Sequence, residues 1–158
     1  MPETPPFHIV LVEPEIPPNT GNIARLCGAT GTFLHLVGKL GFSLEDRYLK
    51  RAGLDYWHAV TIHTWPDLAA LQAACPAARL VYTSKKAERS HVSFSFRPGD
   101  FIVFGKETAG LPDDLIAANR ETSVRIPIFG PVRSLNLSTA AGIVLYEALR
   151  QTGRLSLP

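Results

Sequence analysis

Short apolar runs alternate with amphipathic segments along most of this chain. Between the apolar runs, hydrophobic residues recur every three or four positions, which predicts helices near 20–31, 43–52, 66–74, 112–119 and 135–151. The runs themselves have the pattern of strands at 8–12, 33–37, 58–63, 79–83, 100–104 and 124–128. This alternation predicts an α/β fold, in which a mostly parallel sheet is flanked by helices.

The composition is that of a globular protein, with 46% hydrophobic and 19% charged residues in 158 positions. A chain of this length is expected to form a single domain. No apolar run approaches the roughly 20 residues of a membrane span, and the N-terminus lacks the features of a signal peptide. We therefore expect a cytoplasmic protein without a membrane partner. Residues 85–99 are polar and turn-rich, which predicts a mobile loop.

Cysteine usage and charge exclude few functions. Cys27 and Cys75 cannot form a disulfide framework and have no metal-ligand spacing, so we expect two reduced thiols and no metal site. The net charge of +2 does not require a nucleic-acid partner. Basic residues do form three clusters, which are either solvated faces or phosphate contacts that a dimer would join: Arg47, Lys50 and Arg51; Lys85, Lys86 and Arg89; Arg120, Arg125 and Arg133.

A polar loop leads from the first predicted strand into the first predicted helix. Pro17 and Pro18 favour an extended approach to the helix, and Asn19 stands at the expected N-cap position. Asn19, Asn22 and Arg25 then recur every three residues along one flank of the helix. Arg25, at the edge of the apolar stripe, either reaches into a cleft or forms a structural contact across the helix surface.

A second loop, F-G-K-E-T-A-G-L-P at 104–112, follows a buried strand. Gly105 and Gly110 permit close backbone approach or a positive φ. Glu107 is either a carboxylate that acts on a substrate hydroxyl or an exposed turn residue. The loop lacks the Lys-Ser/Thr pair of a P-loop, and the chain contains no G-x-G-x-x-G, so a dinucleotide site is not expected.

A third loop, I-P-I-F-G-P-V-R-S-L-N-L-S at 126–138, joins the last predicted strand to an apolar-faced helix. Ser134 and Asn136 can cap this helix, but capping does not explain the polar crowding from 133 to 139. Tyr146, on the same helix, fits either the core or a site. All three loops follow a predicted strand, where ligands of parallel sheets bind.

Together, N-T-G-N-I-A-R at 19–25 and the second and third loops resemble the three signature motifs of the SPOUT class of RNA 2′-O-methyltransferases. The likeness continues through L-V-E-P-E-I-P-P at 11–18 and R-A-G-L-D-Y at 51–56. Within that class, the short chain without an appended RNA-binding domain is most similar to the family that methylates the wobble cytidine or uridine, position 34, of tRNA.

The resemblance implies one SPOUT domain over residues 1–158, with a deep trefoil knot at its C-terminal side, and a homodimer. It implies that S-adenosylmethionine binds in the knot as methyl donor, yielding S-adenosylhomocysteine, and that the tRNA anticodon loop is the partner. Lys106, where relatives often have proline, and Gly130, Pro131 and Val132 depart from the family pattern.

The resemblance also assigns site residues. The cofactor pocket would contain Tyr82, Gly105, Ile126, Ser134 and Asn136. The catalytic residues would be Arg25, nearest the ribose 2′-hydroxyl, Asn19 and Asn22, which organise it, Glu107, and Tyr146, which lines the dimeric site.

Arginine is a poor base, because its pKa lies above about 12. We therefore expect Arg25 to stabilise negative charge on the 2′-oxygen, while the proton passes to a phosphate oxygen, Glu107 or water. Three alternatives stay open: a SPOUT enzyme acting on another tRNA or ribosomal RNA site, an inactive RNA-binding module of the same fold, and a nucleotide-binding metabolic enzyme.

Overall fold

The computed structural model of the protein describes residues 4–47, 51 and 57–158. Within these residues one sheet contains the strands β1 (His8–Val12), β2 (Phe33–Val37), β3 (Ile62–Trp65), β4 (Leu80–Thr83), β5 (Arg89–Ser90), β6 (Phe101–Phe104) and β7 (Ser123–Arg125). The strand order is β3-β2-β1-β6-β4-β7-β5, and all the pairings are parallel. The predicted parallel α/β sheet is therefore confirmed.

Four α-helices are described: α1 (Pro17–Thr30), α2 (Leu68–Ala74), α3 (Asp113–Ala118) and α4 (Leu137–Gln151). The described residues omit part of the predicted helix near 43–52, most of the R-A-G-L-D-Y segment, and Lys50. In the part of the chain that the structure describes, no helix has the length and hydropathy needed to cross a bilayer, and no cluster of metal-ligating side chains occurs.

Both faces of the central strands are buried, as expected for parallel strands. Along β1, Ile9 and Leu11 point into one core with α1 and α4, whereas Val10 points into a second core with Leu71 of α2 and Ile116 of α3. Because α1 and α4 share a face of the sheet, they also pack against each other. Cys27 is buried in the first core and Cys75 is half-buried; both are free thiols.

Two strand predictions are corrected by the pairing partners. The strand predicted at 58–63 begins only at Ile62, because residues 57–59 form a 3₁₀ turn, and it extends to Trp65, which pairs with Val37. The strand predicted at 124–128 ends at Arg125, since its neighbours β4 and β5 offer no partner beyond Thr83 and Ser90. Residues 126–128 are therefore released from the sheet.

The prediction of a mobile loop at 85–99 is wrong. Phe94 and Phe96 insert into the first core. The Phe96 amide donates to Gln151 Oε1 of α4 (2.9 Å), and the His91 amide donates to the Arg125 carbonyl of β7 (2.9 Å). The loop thus packs closely against the C-terminal helix.

Candidate functional site

A cavity of about 390 Å³ lies at the carboxyl ends of β4, β6 and β7. Residues from all three predicted motifs line it, together with the segment that follows β4. Its walls mix apolar side chains, such as Ile126, Leu135 and Leu137, with the hydroxyls of Thr83, Ser84 and Ser134. This is the edge of the sheet at which parallel α/β folds bind ligands.

The second motif forms a tight turn that brings backbone into this cavity. The Gly110 amide donates to the Lys106 carbonyl (2.9 Å), and Gly110 has φ of +67°. A Cβ at Gly105 would lie 2.2 Å from the Gly110 carbonyl carbon. Position 105 therefore requires glycine, because the backbone of Gly110 and Leu111 leaves no room for a side chain. Without a side chain here, a ligand can approach the backbone polar groups closely.

Glu107 joins this turn to the start of α1. Its Oε1 accepts a hydrogen bond from the Glu15 amide (2.9 Å), and its Oε2 accepts from the Ile16 amide (2.8 Å) and from Asn19 Nδ2 (3.2 Å). In return, Glu15 Oε1 accepts from the Thr108 amide (3.1 Å) and hydroxyl (2.7 Å). These hydrogen bonds hold the pKa of Glu15 below its ordinary value.

The predicted N-cap at Asn19 is wrong, since α1 begins at Pro17 and its N-cap is Ile16. Pro17 and Pro18 lack N–H groups, so the first turn has fewer donors in need of a cap. Asn19 is instead buried, and its amide oxygen accepts from Asn136 Nδ2 (3.0 Å).

Asn136 caps α4, which confirms one of its two predicted roles, the helix cap. The other predicted role is cofactor binding. Its Oδ1 accepts from the amides of Ser138 (2.9 Å) and Thr139 (3.3 Å). The amide orientations along the chain Glu107–Asn19–Asn136 are mutually consistent: a carboxylate only accepts, so Asn19 presents its NH₂ to Glu107 and its oxygen to Asn136. One polar chain therefore connects all three motifs.

The structure brings six predicted site residues together around the cavity: Asn19, Gly105, Glu107, Ile126, Ser134 and Asn136. Tyr82 is buried in the second core, where desolvation raises its pKa. It directly precedes Thr83 and Ser84, which do line the cavity.

Arg25, Asn22 and Tyr146 occupy a different place. Arg25 and Asn22 are on the exposed side of α1, and Tyr146 is on the exposed side of α4, which packs against α1. The described lining of the cavity does not include them. Tyr146 lines a second cavity, beside Cys27 and Leu149.

Sequence reasoning did not assign the last residue of β4, or the residues that follow this strand, to the site. Thr83, Ser84, Lys85 and Lys86 all line the cavity, and Lys86 Nζ lies 2.7 Å from Asp113 Oδ2 at its edge. The available signal was their position at the carboxyl end of a predicted strand, because the same rule selected the other three loops.

Comparisons with known proteins agree with this geometry. The model of the SpoU rRNA methylase family matches residues 6–146. The tRNA (cytidine(34)-2′-O)-methyltransferase of Methylovorus glucosotrophus is 50% identical over 146 residues, which cover 92% of this chain and 95% of that protein.

Solved structures share the fold. A protein studied for 2-OH methylation of C/U34 on tRNA superposes with a TM-score of 0.88 at 46% identity, covering 93% of this chain and 96% of that one. The SpoU methyltransferase AviRb from Streptomyces viridochromogenes, in complex with the cofactor AdoMet, superposes with a TM-score of 0.84 at 26% identity, covering 96% of this chain and 62% of AviRb. Both the sequence motifs and the fold therefore place this chain in the SpoU rRNA methylase family.

Proposed function

We propose that the protein transfers a methyl group from S-adenosylmethionine to the ribose 2′-hydroxyl of the wobble nucleotide, cytidine or uridine 34, in the tRNA anticodon loop. The main support for this proposal is the cavity at the strand ends. There, three motifs that are far apart in sequence are joined by the Glu107–Asn19–Asn136 hydrogen bonds. Relatives that are about half identical over nearly the whole chain carry the name of this activity.

The cavity fits S-adenosylmethionine in size and chemistry. Its volume lies within the roughly 300–1,000 Å³ of small-molecule sites. The apolar residues in its walls suit an adenine ring, and the backbone of the Gly105–Gly110 turn offers donors and acceptors to it. We assign Gly105, Ile126, Ser134 and Asn136 to cofactor binding, with Tyr82 supporting the strand that ends in the cavity wall.

S-adenosylmethionine, when bound, supplies a methyl group on a positively charged sulfur. The Arg25 guanidinium stabilises the negative charge that develops on the 2′-oxygen, since a cation placed where charge develops lowers the barrier. Asn22, one turn earlier on the same exposed side of α1, orients Arg25. The hydroxyl proton passes to a phosphate oxygen of the RNA or to water.

Glu107 is a positioning residue in this mechanism. Its carboxylate already accepts three hydrogen bonds, two of them from backbone amides, and it holds the Gly105–Gly110 turn against α1. Because both carboxylate oxygens already accept hydrogen bonds within the protein, we assign Glu107 to positioning the turn rather than to accepting the proton.

The protein acts as a homodimer in this proposal. The exposed sides of α1 and α4 carry apolar or catalytic side chains that the described cavity does not contain: Asn22, Arg25, Ile143 and Tyr146. A second copy seated on this face would cover Ile143 and Tyr146 and would bring Arg25 to a cavity of the assembly. The reaction on tRNA takes place in the cytoplasm.

We also propose that the C-terminal part of the chain forms the trefoil knot of the SPOUT fold. Strand β7 lies between β4 and β5 in the sheet, although both precede it in sequence and a short segment connects them. An experimentally traced chain tests this proposal, and a trace that closes into an unknotted loop would overturn it.

A second candidate, methylation of ribosomal RNA, is favoured by the description of the family. One experiment distinguishes the two: the protein is incubated with methyl-labelled S-adenosylmethionine and either tRNA or ribosomal RNA, and the labelled 2′-O-methyl is mapped. We expect label at nucleotide 34 of tRNA and none in a tRNA that carries a 2′-deoxyribose there. Label in ribosomal RNA alone would support the second candidate.

A further inference from the structure

Phe129 is 97% exposed, which is unusual for this chain. Of its eight phenylalanines, Phe7, Phe94, Phe96, Phe101 and Phe104 are buried, and Phe33 and Phe42 are partly buried. Phe129 is the one that folding leaves in water. An aromatic ring held in solvent contributes nothing to the core and is available to a binding partner.

The position of Phe129 indicates the partner. Ile128, its direct neighbour, lines the cavity, and the chain returns to the cavity at Ser134. Pro127 and Pro131 flank Phe129 in the sequence, and proline restricts the backbone of a loop. Phe129 is therefore presented beside the mouth of the cavity by a stiffened segment rather than by a flexible tail.

The charge around this segment favours RNA over protein. Arg125 and Arg133 are exposed on either side of Phe129, and Lys85 and Lys106 line the cavity itself. Unpaired RNA bases are commonly held by an aromatic ring for the base and cations for the phosphates. A purely apolar protein contact would not require cations on both sides of Phe129 in the sequence and in the wall of the adjoining cavity.

We propose that Phe129 is a stacking platform for an unpaired base of the RNA substrate, next to the nucleotide whose ribose enters the cavity. This inference rests on the proposed function and adds to it a residue that binds substrate. Every base has a π-face, so stacking here raises the affinity for a single-stranded loop without selecting a sequence. Arg133 contacts the adjacent phosphate.

The test measures binding and methylation of an anticodon stem-loop RNA separately. We expect Phe129→Ala to weaken RNA binding roughly 5- to 100-fold, because stacking contributes about that much per base. Phe129→Trp retains a stacking ring and should bind at least as well as the wild type, whereas Phe129→Leu keeps the apolar volume without the ring and should resemble Phe129→Ala. S-adenosylmethionine affinity should stay unchanged in all three variants.

Leu157→Ala is the matched control, because Leu157 is 92% exposed and lies in the C-terminal tail. It should leave RNA binding unchanged. Wild-type affinity in Phe129→Ala would overturn this inference alone, provided that the wild type methylates nucleotide 34. Wild-type affinity in Phe129→Leu, together with altered sedimentation of Phe129→Ala, would instead identify a protein contact. A wild type that neither binds nor methylates RNA would overturn the proposed function and this inference with it.

Discussion

Asn19 and Asn136 are 117 residues apart in sequence, yet the Asn136 side-chain amide donates to the Asn19 side-chain oxygen over 3.0 Å. The same Asn136 caps α4 through its own oxygen. One side chain therefore fixes the start of the C-terminal helix and ties it to the first helix. Because Asn19 also donates to Glu107, this bond keeps the three walls of the cavity in register.

Substitution of Asn136 separates these two roles. Asn136→Asp keeps an oxygen that caps α4, and a negative charge is favourable at a helix N-terminus. It removes the donor to Asn19, however, so two oxygens then face each other. We expect weaker S-adenosylmethionine binding with the α4 cap preserved, whereas Asn136→Ala should lose a further ~1 kcal/mol of unfolding free energy for the missing cap. Urea unfolding and calorimetry measure the two effects. Wild-type cofactor affinity in Asn136→Asp would show that the link does not shape the cavity.

Replacement of Glu107 tests whether it positions the turn or accepts the proton. Glu107→Gln places an NH₂ group opposite hydrogen-bond donors, so we expect a loss of about 1.5–3 kcal/mol of stability and weaker cofactor binding. The shape of the pH–rate profile should not change. Unchanged cofactor affinity with kcat lowered about 10²- to 10⁴-fold would instead identify a general base. Glu121→Gln, at an exposed glutamate outside the cavity lining, is the matched control.

Alanine at Gly105 should abolish cofactor binding. The new Cβ would overlap the Gly110 carbonyl carbon, 2.2 Å away, and this neighbour is backbone that cannot rotate aside. Gly142→Ala is the control: its Cβ would meet nothing within 4 Å, and alanine in the interior of α4 should stabilise the protein by about 0.5–1 kcal/mol. Thermal unfolding and S-adenosylmethionine calorimetry distinguish the two variants. Cofactor binding by Gly105→Ala would contradict the close approach at this turn.

The sequence patterns were sufficient for the order of strands and helices because each element buries an apolar stripe against one sheet. They could not predict β5, since the two residues Arg89 and Ser90 are too few to show a period. They also ended the 124–128 strand three residues too late, because Ile126 and Ile128 alternate as in a strand but face the cavity rather than a neighbouring strand.

The site was predictable where local chemistry determines it, and not where distant contacts do. The glycines of the second motif and the Asn136 cap follow from local backbone requirements. The role of Asn19 does not, because its partners Glu107 and Asn136 are 88 and 117 residues away. The same limit explains the loop at 85–99, whose polar sequence contains two phenylalanines that join the core formed with α1 and α4.

A row of histidines should make the protein sensitive to mild acid. Trp65 Nε1 donates to His35 Nδ1 (3.0 Å), so neutral His35 carries its proton on Nε2. This Nε2–H donates to His8 Nδ1, 2.9 Å away. Burial lowers the pKa of His35 to about 3 and that of His8 to about 4. Neighbouring charge lowers both further, from His8 and His63 at His35 and from His63 at His8. Their unfolded pKa is about 6.5, so the unfolded chain binds more protons below that pH.

The stability that these histidines contribute is complete above pH 6.5 and falls as the pH is lowered towards their folded pKa values. We expect the unfolding free energy from urea titrations to decrease between pH 6.5 and 5, before most carboxylates titrate. The slope is at most about 1.4 kcal/mol per pH unit for each histidine, and less for His8, which is partly exposed to solvent. His8→Phe should reduce the slope, whereas His58→Gln, at an exposed histidine, should not. A constant free energy over this interval would contradict the histidine contacts.

The proposed dimer face predicts that a charge on α4 will separate the subunits and stop the reaction. Ile143 lies on the exposed side of α4, one turn before Tyr146. In Ile143→Glu, association would bury a carboxylate without a partner, which costs several kcal/mol, so we expect the dimer dissociation constant to rise at least ~100-fold. Sedimentation should then show monomers, and methylation should fall with the dimer fraction because Arg25 and Tyr146 no longer meet a cavity across the interface. Leu157→Glu places the same charge on the exposed tail and should change neither property. A monomeric wild type that methylates tRNA would show that one chain alone completes the site.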